Sequence, residues 1–130
     1  MVLVADRLVQ VRLAEGPSMM PTLDHSNNVI LIDMLTLGFR ALKRGEIVMS
    51  KSMVEPDWVV CKRVVALPGD IVCTNPSESE KSLQRFIKVP LGKVWIQGDN
   101  LDFSRDSRTF GPVPINMIQG RVFYRASHTC

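Results

Sequence analysis

Glycine and proline divide this chain into short β-like segments, and this division constrains the fold more than any other feature. The sequence has 8 glycines and 8 prolines. Between these turn signals, segments rich in branched aliphatic residues or alternating apolar with polar residues lie at positions 9–13, 29–34, 46–53, 58–67, 71–73, 93–97 and 119–125. Helical spacing is confined to two short stretches, residues 35–43 and 114–118. Many short strands with little helix predict a mainly β fold, in which an antiparallel sheet closes or folds over on itself.

The composition predicts one compact domain spanning residues 1–130. The chain is 45% hydrophobic and 22% charged, which is ordinary for a globular protein. A domain of this size buries roughly two-thirds of its unfolded surface, so it needs neither a metal nor disulfides to hold a core. Disorder, collagen, a coiled coil and a disulfide scaffold are excluded on these grounds.

Charge and hydropathy argue against a nucleic-acid partner and against a membrane span. The net charge is only +3, and the densest basic cluster is Lys43-Arg44. Nucleic-acid binders carry basic stripes interleaved with aromatic residues, and this chain lacks that pattern. No apolar run reaches the roughly 18 residues of a membrane span. Residues 1–5 also lack the charged region and long apolar core of a secretory signal. We therefore expect a soluble or peripheral protein that binds no nucleic acid.

The cysteines and histidines predict no metal site. The three cysteines, whose number is odd and whose spacing does not suit a metal, are Cys61, Cys73 and Cys130. We interpret them as core thiols plus an exposed cysteine in the tail. The two histidines, His25 and His128, lie in polar surroundings and are predicted to be surface residues.

Ser18 stands between two prolines in residues 16–22, Gly-Pro-Ser-Met-Met-Pro-Thr. Each proline ring fixes its own φ and biases the preceding residue away from helix. Such a stiff turn can present a serine hydroxyl in one fixed direction, as a nucleophile requires. The other interpretation is a serine that only hydrogen-bonds its own turn.

Lys62 lies in the longest predicted strand, residues 58–67, whose two faces are both largely apolar. The strand is therefore predicted to be buried on both sides. A lysine in apolar company resists being charged, so its pKa falls and it can act as a general base. Arg63 cannot take this role because arginine does not deprotonate. The alternative is that Lys62 extends to water from the edge of the sheet.

Residues 98–108, Gly-Asp-Asn-Leu-Asp-Phe-Ser-Arg-Asp-Ser-Arg, mix both charge signs with hydroxyl and amide groups. The carboxylates suggest a calcium loop, but Ser104 replaces the glycine and Phe110 the glutamate that such a loop needs. The segment can instead hold a network that orients a catalytic lysine. Because the chain offers no plausible histidine base, a serine hydrolase here has to be of the serine–lysine kind.

Taken in order, these three segments resemble the motifs of the type I signal peptidase family. The family's serine followed by Met-x-Pro-Thr matches residues 18–22, and its Lys-Arg-Val-x-x-x-Pro-Gly-Asp matches residues 62–70. Its late motif, Gly-Asp-Asn followed by Ser-x-Asp-Ser-Arg, matches residues 98–108, and its Gly-x-Val-Pro matches residues 111–114.

The resemblance implies a serine endopeptidase with a Ser-Lys dyad and no cofactor or metal. The implied fold is a sandwich- or barrel-like catalytic domain of coiled antiparallel β-sheets with one or two short helices. Ser18 is implied as the nucleophile, its backbone N–H as part of the oxyanion hole, and Lys62 as the general base. The residues implied to support the site are Ser104, which hydrogen-bonds the lysine, together with Asp106, Arg108 and Asp99.

Residues 61–64 and 94–101 are similar to the mitochondrial inner membrane protease branch of this family, subunit 1 type. This similarity implies an enzyme at the mitochondrial inner membrane, facing the intermembrane space, that removes signal and sorting presequences from precursor proteins. The implied partners are precursor polypeptides, a related second protease subunit and the membrane surface. The alternative location is the outer face of a bacterial plasma membrane.

The chain departs from the family pattern at two points. Gly16 occupies the position where many bacterial members have a serine that completes the oxyanion hole, although the mitochondrial members tend to have glycine there. The family's apolar anchor helix is expected before the catalytic domain, but only 17 residues precede Ser18. We therefore expect a truncated chain, or one that partners and apolar surface hold at the membrane.

Two alternative functions remain at this stage. One is a self-cleaving repressor-type protease, which has a comparable dyad but is disfavoured by residues 98–108 and by the lack of a DNA-binding segment before Ser18. The other is a catalytically inactive β module that binds peptides.

Overall fold

In a computed structural model of the chain, residues 9–14, 16–23, 28–38 and 40–127 are described, and they form a curled antiparallel sheet. The strands are β1 Val9–Ala14, β2 Asn28–Asp33, β3 Ile47–Lys51, β4 Val59–Ala66, β5 Ile71–Cys73, β6 Phe86–Lys88, β7 Lys93–Gln97, β8 Val113–Pro114 and β9 Ile118–Ser127. Seven strands form one sheet in the order β1-β2-β9-β3-β4-β7-β8, and β5 pairs with β6 in a second sheet. The prediction of a mainly β fold with coiled antiparallel sheets is confirmed.

Alternation along the strands decides which side chains enter the core. In β2, Asn28, Ile30 and Ile32 are buried, whereas the residues between them are half-buried. In β4 the buried face carries Lys62, Val64 and Ala66. The opposite face of β4 is only half-buried, so the prediction that both faces of this strand are buried is wrong. The physical reason is that Val59 and Cys61 of this face pack against the core on one side and line an open cleft on the other.

Three apolar clusters hold the sheet together. One joins β3, β4, β7, β8 and β9 through residues that include Val48, Val64 and Ile96. A second packs Met19 and Leu23, which precede β2, against buried residues of β2 and β3. The third lies beneath the two-stranded sheet around Trp95. The second cluster matters for the site because it anchors the turn that carries Ser18.

Helices are few and short. The one α-helix of the described residues is α1, Ser107–Phe110, and single 3-10 turns lie at Thr36–Gly38, Lys81–Leu83, Leu101–Phe103 and Ile115–Met117. None of the described helices has the length and apolar character needed to cross a membrane.

The helical spacing at residues 35–43 produces only one 3-10 turn. The Asp33 carboxylate accepts hydrogen bonds from the backbone N–H of Leu35 and of Thr36 and so begins that turn. The carbonyls of Arg40 and Ala41 then accept hydrogen bonds from the buried guanidinium of Arg121, instead of from the N–H groups of a continuing helix.

Some predictions concern residues outside the described part of the chain. These are the surface positions of His25 and His128, the exposed tail cysteine Cys130, and the N-terminal residues 1–5. Cys61 and Cys73 are free thiols that are half-buried.

Candidate active site

The turn at residues 16–23 presents Ser18 at the surface of the sheet. Met19 and Leu23 are each 3% exposed and anchor the turn in the core. The turn is closed by hydrogen bonds from Met20 N to Pro17 O at 3.1 Å and from Leu23 N to Met19 O at 2.9 Å. Ser18 itself is half-buried, and its hydroxyl makes no hydrogen bond to another described residue. The turn therefore holds the serine without occupying its hydroxyl.

The loop after β7 fixes the backbone of this turn. Asn100 N donates to Ser18 O at 2.8 Å, and Asn100 Nδ2 donates to Pro17 O at 3.0 Å. At Gly98, an added Cβ would lie 2.4 Å from Ser18 O and 2.3 Å from Ser104 Oγ. Only glycine fits between these two serines. Sequence reasoning assigned no role to Gly98 or Asn100, although both stand in the Gly-Asp-Asn motif.

Lys62 is buried on an interior strand. β4 lies between β3 and β7 in the strand order, although β7 pairs with it only from Arg63 onward. Lys62 is nevertheless only 4% exposed, so it does not extend to water. Its Nζ donates a hydrogen bond to Ser104 Oγ at 2.9 Å. Burial lowers the pKa of Lys62, and the positive charge of Arg108 acts in the same direction, while the charges of Asp106 and Cys61 oppose the shift. The net lowering enlarges the neutral fraction that a general base needs.

Behind Ser104 lies a fully buried carboxylate. Ser104 Oγ donates to Asp106 Oδ2 at 2.8 Å, and Asp106 is 0% exposed. Burial alone would raise the pKa of Asp106, but hydrogen bonds from Arg108, from Gly98 N at 3.0 Å and from Ser104 outweigh it and lower the pKa. The carboxylate therefore stays charged and accepts the hydrogen bond that the Ser104 hydroxyl donates. Ser104 is left to accept from Lys62, which leaves the lone pair of a neutral lysine free to face elsewhere.

Arg108 supports the carboxylate from the first turn of α1. Its Nε lies 2.9 Å from Asp106 Oδ1, and its Nη2 lies 3.0 Å from Asp106 Oδ2. The same Nη2 also donates to the carbonyl of Leu101 at 2.8 Å. Arg108 thus ties the buried charge to the loop that carries Ser104.

Asp99 lies in a separate ion pair and not in the lysine network. Its two carboxylate oxygens accept from Arg63 Nε at 2.8 Å and Nη2 at 2.7 Å, and Thr22 Oγ1 donates to the same carboxylate. The hydrogen bond from Arg63 lowers the pKa of Asp99, as does the one from Thr22. Asp99 therefore joins the end of the Ser18 turn to β4. Thr22 was part of a recognised motif, but sequence reasoning assigned it no role.

Ser18 and Lys62 line one cleft of about 280 Å³. Its other walls come from β1, the Ser18 turn, one residue each of β2 and β3, and the start of β4 with the residue before it: Arg12, Leu13, Ala14, Gly16, Met19, Leu23, Ile30, Met49, Trp58, Val59, Val60 and Cys61. β3 pairs with residues 59–63 of β4, whereas β7 pairs with β4 only from Arg63 onward. Among the described strands, none pairs with the second edge of β4 before Arg63, and that edge lies along the cleft.

The sequence belongs to a known family. The family described as "Signal peptidase, peptidase S26" matches residues 1–79 and 74–126, which cover nearly the whole chain. The chain therefore belongs to the signal peptidase family S26, as the three motifs predicted. Its structure is similar to that of a signal peptidase I from Enterococcus faecalis, with a TM-score of 0.54 and 22% sequence identity over 65% of this chain and 98% of that chain.

Several relatives carry one name, mitochondrial inner membrane protease subunit 1. The Homo sapiens protein is 43% identical over 116 residues, covering 88% of this chain and 68% of the relative. The Schizosaccharomyces pombe protein is 40% identical over 123 residues, covering 94% of this chain and 76% of the relative. A Danio rerio protein named mitochondrial inner membrane protease subunit 2 is 36% identical over 125 residues, covering 93% of this chain and 66% of the relative.

These findings settle the class of enzyme and its place in the cell. The chain is a serine peptidase of the signal peptidase type, and it is located at the mitochondrial inner membrane. Both predictions are confirmed, and the repressor-type alternative and the bacterial location are not supported.

Proposed function

We propose that Ser18 is the nucleophile and Lys62 the general base with which this chain cleaves presequences. One observation carries the proposal: a lysine that is 4% exposed on an interior strand lines the same cleft as a serine with an unengaged hydroxyl. A buried lysine is a strong candidate for a base because desolvation favours its neutral form. Arg63, the next residue, stays charged and is paired with Asp99.

The chemistry divides into two steps with one covalent intermediate. Neutral Lys62 takes the hydroxyl proton of Ser18 while Oγ bonds to the carbonyl carbon of the scissile peptide. The resulting ammonium gives its proton to the leaving amine as the C–N bond breaks, and the acyl group remains on Ser18. Lys62 then deprotonates a water molecule, which hydrolyses the ester and restores Ser18. Throughout, Ser104 holds the lysine in place by its hydrogen bond of 2.9 Å.

The oxyanion of each step needs hydrogen-bond donors that are already in position. The backbone N–H of Ser18 donates to no described residue, so we assign it to the oxyanion. Gly16 cannot add a hydroxyl donor. Loss of one such donor costs roughly 10²–10³ in rate, so we expect slower acylation than in members that carry a serine at this position.

We infer that the substrate binds as an extended strand along the free edge of β4. Strand addition uses an unpaired edge of this kind for main-chain hydrogen bonds, and adjacent pockets recognise alternate side chains. Apolar residues line the pocket, including Met49, Leu23 and Ile30, and the whole cleft is only about 280 Å³. Small side chains near the scissile bond fit this volume. Precursor polypeptides with sorting presequences are the substrate class proposed.

The relatives' names support a setting for this activity. Because they are named as subunits, we propose that a related second protease subunit accompanies this chain at the membrane. We also propose that the active site faces the intermembrane space, where sorted precursors arrive. The membrane surface itself is proposed as a further contact.

The test is cleavage of a reporter peptide with a small-residue presequence site, in detergent, over a pH series from mildly acidic to alkaline. We expect the wild type to cleave with activity that rises with pH, and Ser18→Ala and Lys62→Met to be inactive. Lys88→Met, which removes an exposed lysine of β6, is the matched control and should cleave normally. Cleavage that survives Ser18→Ala would refute the mechanism.

An inactive wild type would mean either that a partner subunit is missing or that the chain has no catalytic activity, and a second measurement separates these two cases. The candidate partner subunit is added first, and the chain is then treated with a serine-reactive acylating inhibitor. Labelling that disappears in Ser18→Ala supports the nucleophile, whereas a protein that neither cleaves nor labels is a peptide-binding module without catalysis.

A further inference from the structure

We propose that a second cleft, on the far side of Lys62, binds the part of the substrate that leaves with the new amino terminus and selects an apolar side chain there. The inference rests on the proposed function, because it takes Lys62 as the group that protonates the leaving amine. It adds a specificity site to the enzyme on the downstream side of the scissile bond.

The second cleft has a volume of about 230 Å³ and lies between the β3–β4 loop and the end of α1. Its apolar lining consists of Met53, Val54, Trp58, Val60, Ile96 and Phe110. Lys51, Glu55 and Arg105 are exposed and add both signs of charge at its rim. The rim thus carries two cations and one carboxylate, whereas the apolar lining favours an aliphatic side chain.

The two clefts share Trp58, Val60 and Lys62, but only the first contains Ser18. During acylation the acyl half of the substrate becomes bonded to Ser18, and the amine half must lie against the group that gives it a proton. That group is Lys62, so the downstream segment leaves along a surface that the lysine reaches and the serine does not. The second cleft is the surface with this property. Arg105, which lines it, directly follows the Ser104 that holds the lysine.

The outer wall of this cleft is already formed without substrate. Ser52 Oγ accepts hydrogen bonds from Val54 N at 3.1 Å and Glu55 N at 3.0 Å. Ser52 N donates to Trp58 O at 2.9 Å and closes the loop. A wall held by its own hydrogen bonds loses little conformational entropy when a peptide binds, which suits a specificity pocket.

Binding can be measured without turnover, through tryptophan fluorescence. The chain has 2 tryptophans. Trp58 lines both clefts and is 66% exposed, so its signal reports binding in either one, whereas Trp95 is 2% exposed. The probes are the free-amine tripeptide amides Leu-Ala-Ala and Gly-Ala-Ala, which imitate the leaving segment. We expect the leucyl peptide to bind roughly five-fold or more tightly than the glycyl peptide, since burial of an aliphatic side chain favours association. Trp58→Phe should abolish the signal and so identify its source.

Two matched variants locate the binding. Met53→Ala truncates an apolar side chain that lines only the second cleft, and Leu13→Ala truncates one that lines only the first. Both side chains are exposed, at 41% and 67%, so neither truncation opens a core cavity. Met53→Ala should remove most of the preference for leucine over glycine, while Leu13→Ala should retain it. Equal binding of the two peptides to the wild type, or an equal effect of both variants, would overturn the proposal.

Cleavage gives an independent measurement. In reporters with leucine or alanine directly after the scissile bond, Met53→Ala should lower kcat/KM for the leucine reporter by roughly three- to ten-fold relative to the alanine reporter. If Ser18→Ala still cleaves, the proposed catalytic mechanism fails. If Ser18→Ala is inactive and Met53→Ala affects both reporters equally, only the second cleft fails.

Discussion

Ser104→Ala tests how the catalytic lysine is oriented. Ser104 Oγ lies 2.9 Å from Lys62 Nζ and 2.8 Å from Asp106 Oδ2. The substitution removes the acceptor of the lysine but leaves the buried carboxylate bound to Gly98 N at 3.0 Å and to Arg108. The site should therefore stay folded while the lysine amine loses its direction.

The size of the effect follows from the bond that is lost. A hydrogen bond to a charged group contributes about 1.5–3 kcal/mol, and about 1.36 kcal/mol corresponds to a tenfold change in rate. We therefore expect kcat to fall by roughly 10- to 150-fold. KM should change little because Ser104 does not line the substrate cleft. Loss of this hydrogen-bond acceptor disfavours the ammonium form of Lys62. The pH at which activity rises should therefore stay the same or fall.

The assay is reporter cleavage at saturating and limiting substrate over a pH series. Ser107→Ala is the matched control, because Ser107 is a buried serine at the start of α1, directly after this loop. Its Oγ accepts from Ile96 N at 3.0 Å and is not part of the lysine network. It should lower stability but preserve kcat and the pH profile. Wild-type kcat in Ser104→Ala, or an equal loss of kcat in the control, would show that the lysine is not oriented in this way.

Three further outcomes are expected. Lys62→Met, although inactive, should raise the free energy of unfolding by about 1 kcal/mol or more, since it removes a buried charge. Burial lowers the pKa of Lys62 below 10.5. The gain in melting temperature should therefore grow as the pH falls from 10.5 toward neutral. Gly98→Ala places a Cβ 2.4 Å from Ser18 O. Urea denaturation should therefore show a free energy of unfolding lower by roughly 1–3 kcal/mol, and kcat should also be lower. Unchanged values of both would refute the close fit. The hydrogen bond from Arg44 lowers the pKa of Asp70 from 3.8 to about 2, so the stabilisation lost in Asp70→Asn should be full above pH 3.8 and vanish as the pH falls toward 2, as melting temperatures would show.

Most strands could be predicted from local pattern alone. The alternation in residues 9–13 and the aliphatic run at 29–34 correspond to β1 and β2 within one residue at each end. β6 and β8 were not predicted, because strands of three and two residues are too short to show a period. The α-helix at Ser107–Phe110 was also missed, since its first turn depends on the Asp106 carboxylate that accepts from Arg108 N at 3.1 Å.

The sequence by itself determined which groups are available for chemistry. It contains a serine on a proline-bounded turn, a lysine in an apolar strand and a polar loop of fixed composition, and it shows that Lys62, unlike Arg63, can lose a proton. These properties belong to the residue types and their neighbours along the chain.

Only the tertiary structure decided which of these groups meet. Lys62 and Ser104 are 42 residues apart, and their hydrogen bond exists because β4 and the loop after β7 lie side by side in the curled sheet. The burial of Lys62 depends on where β4 lies in the sheet, and strand order is not encoded in the alternation of a single strand. Asp99, assigned to the same supporting set as Asp106, proved to pair with Arg63 instead. Local pattern sets the face of a side chain, whereas distance and desolvation arise only when distant segments pack together.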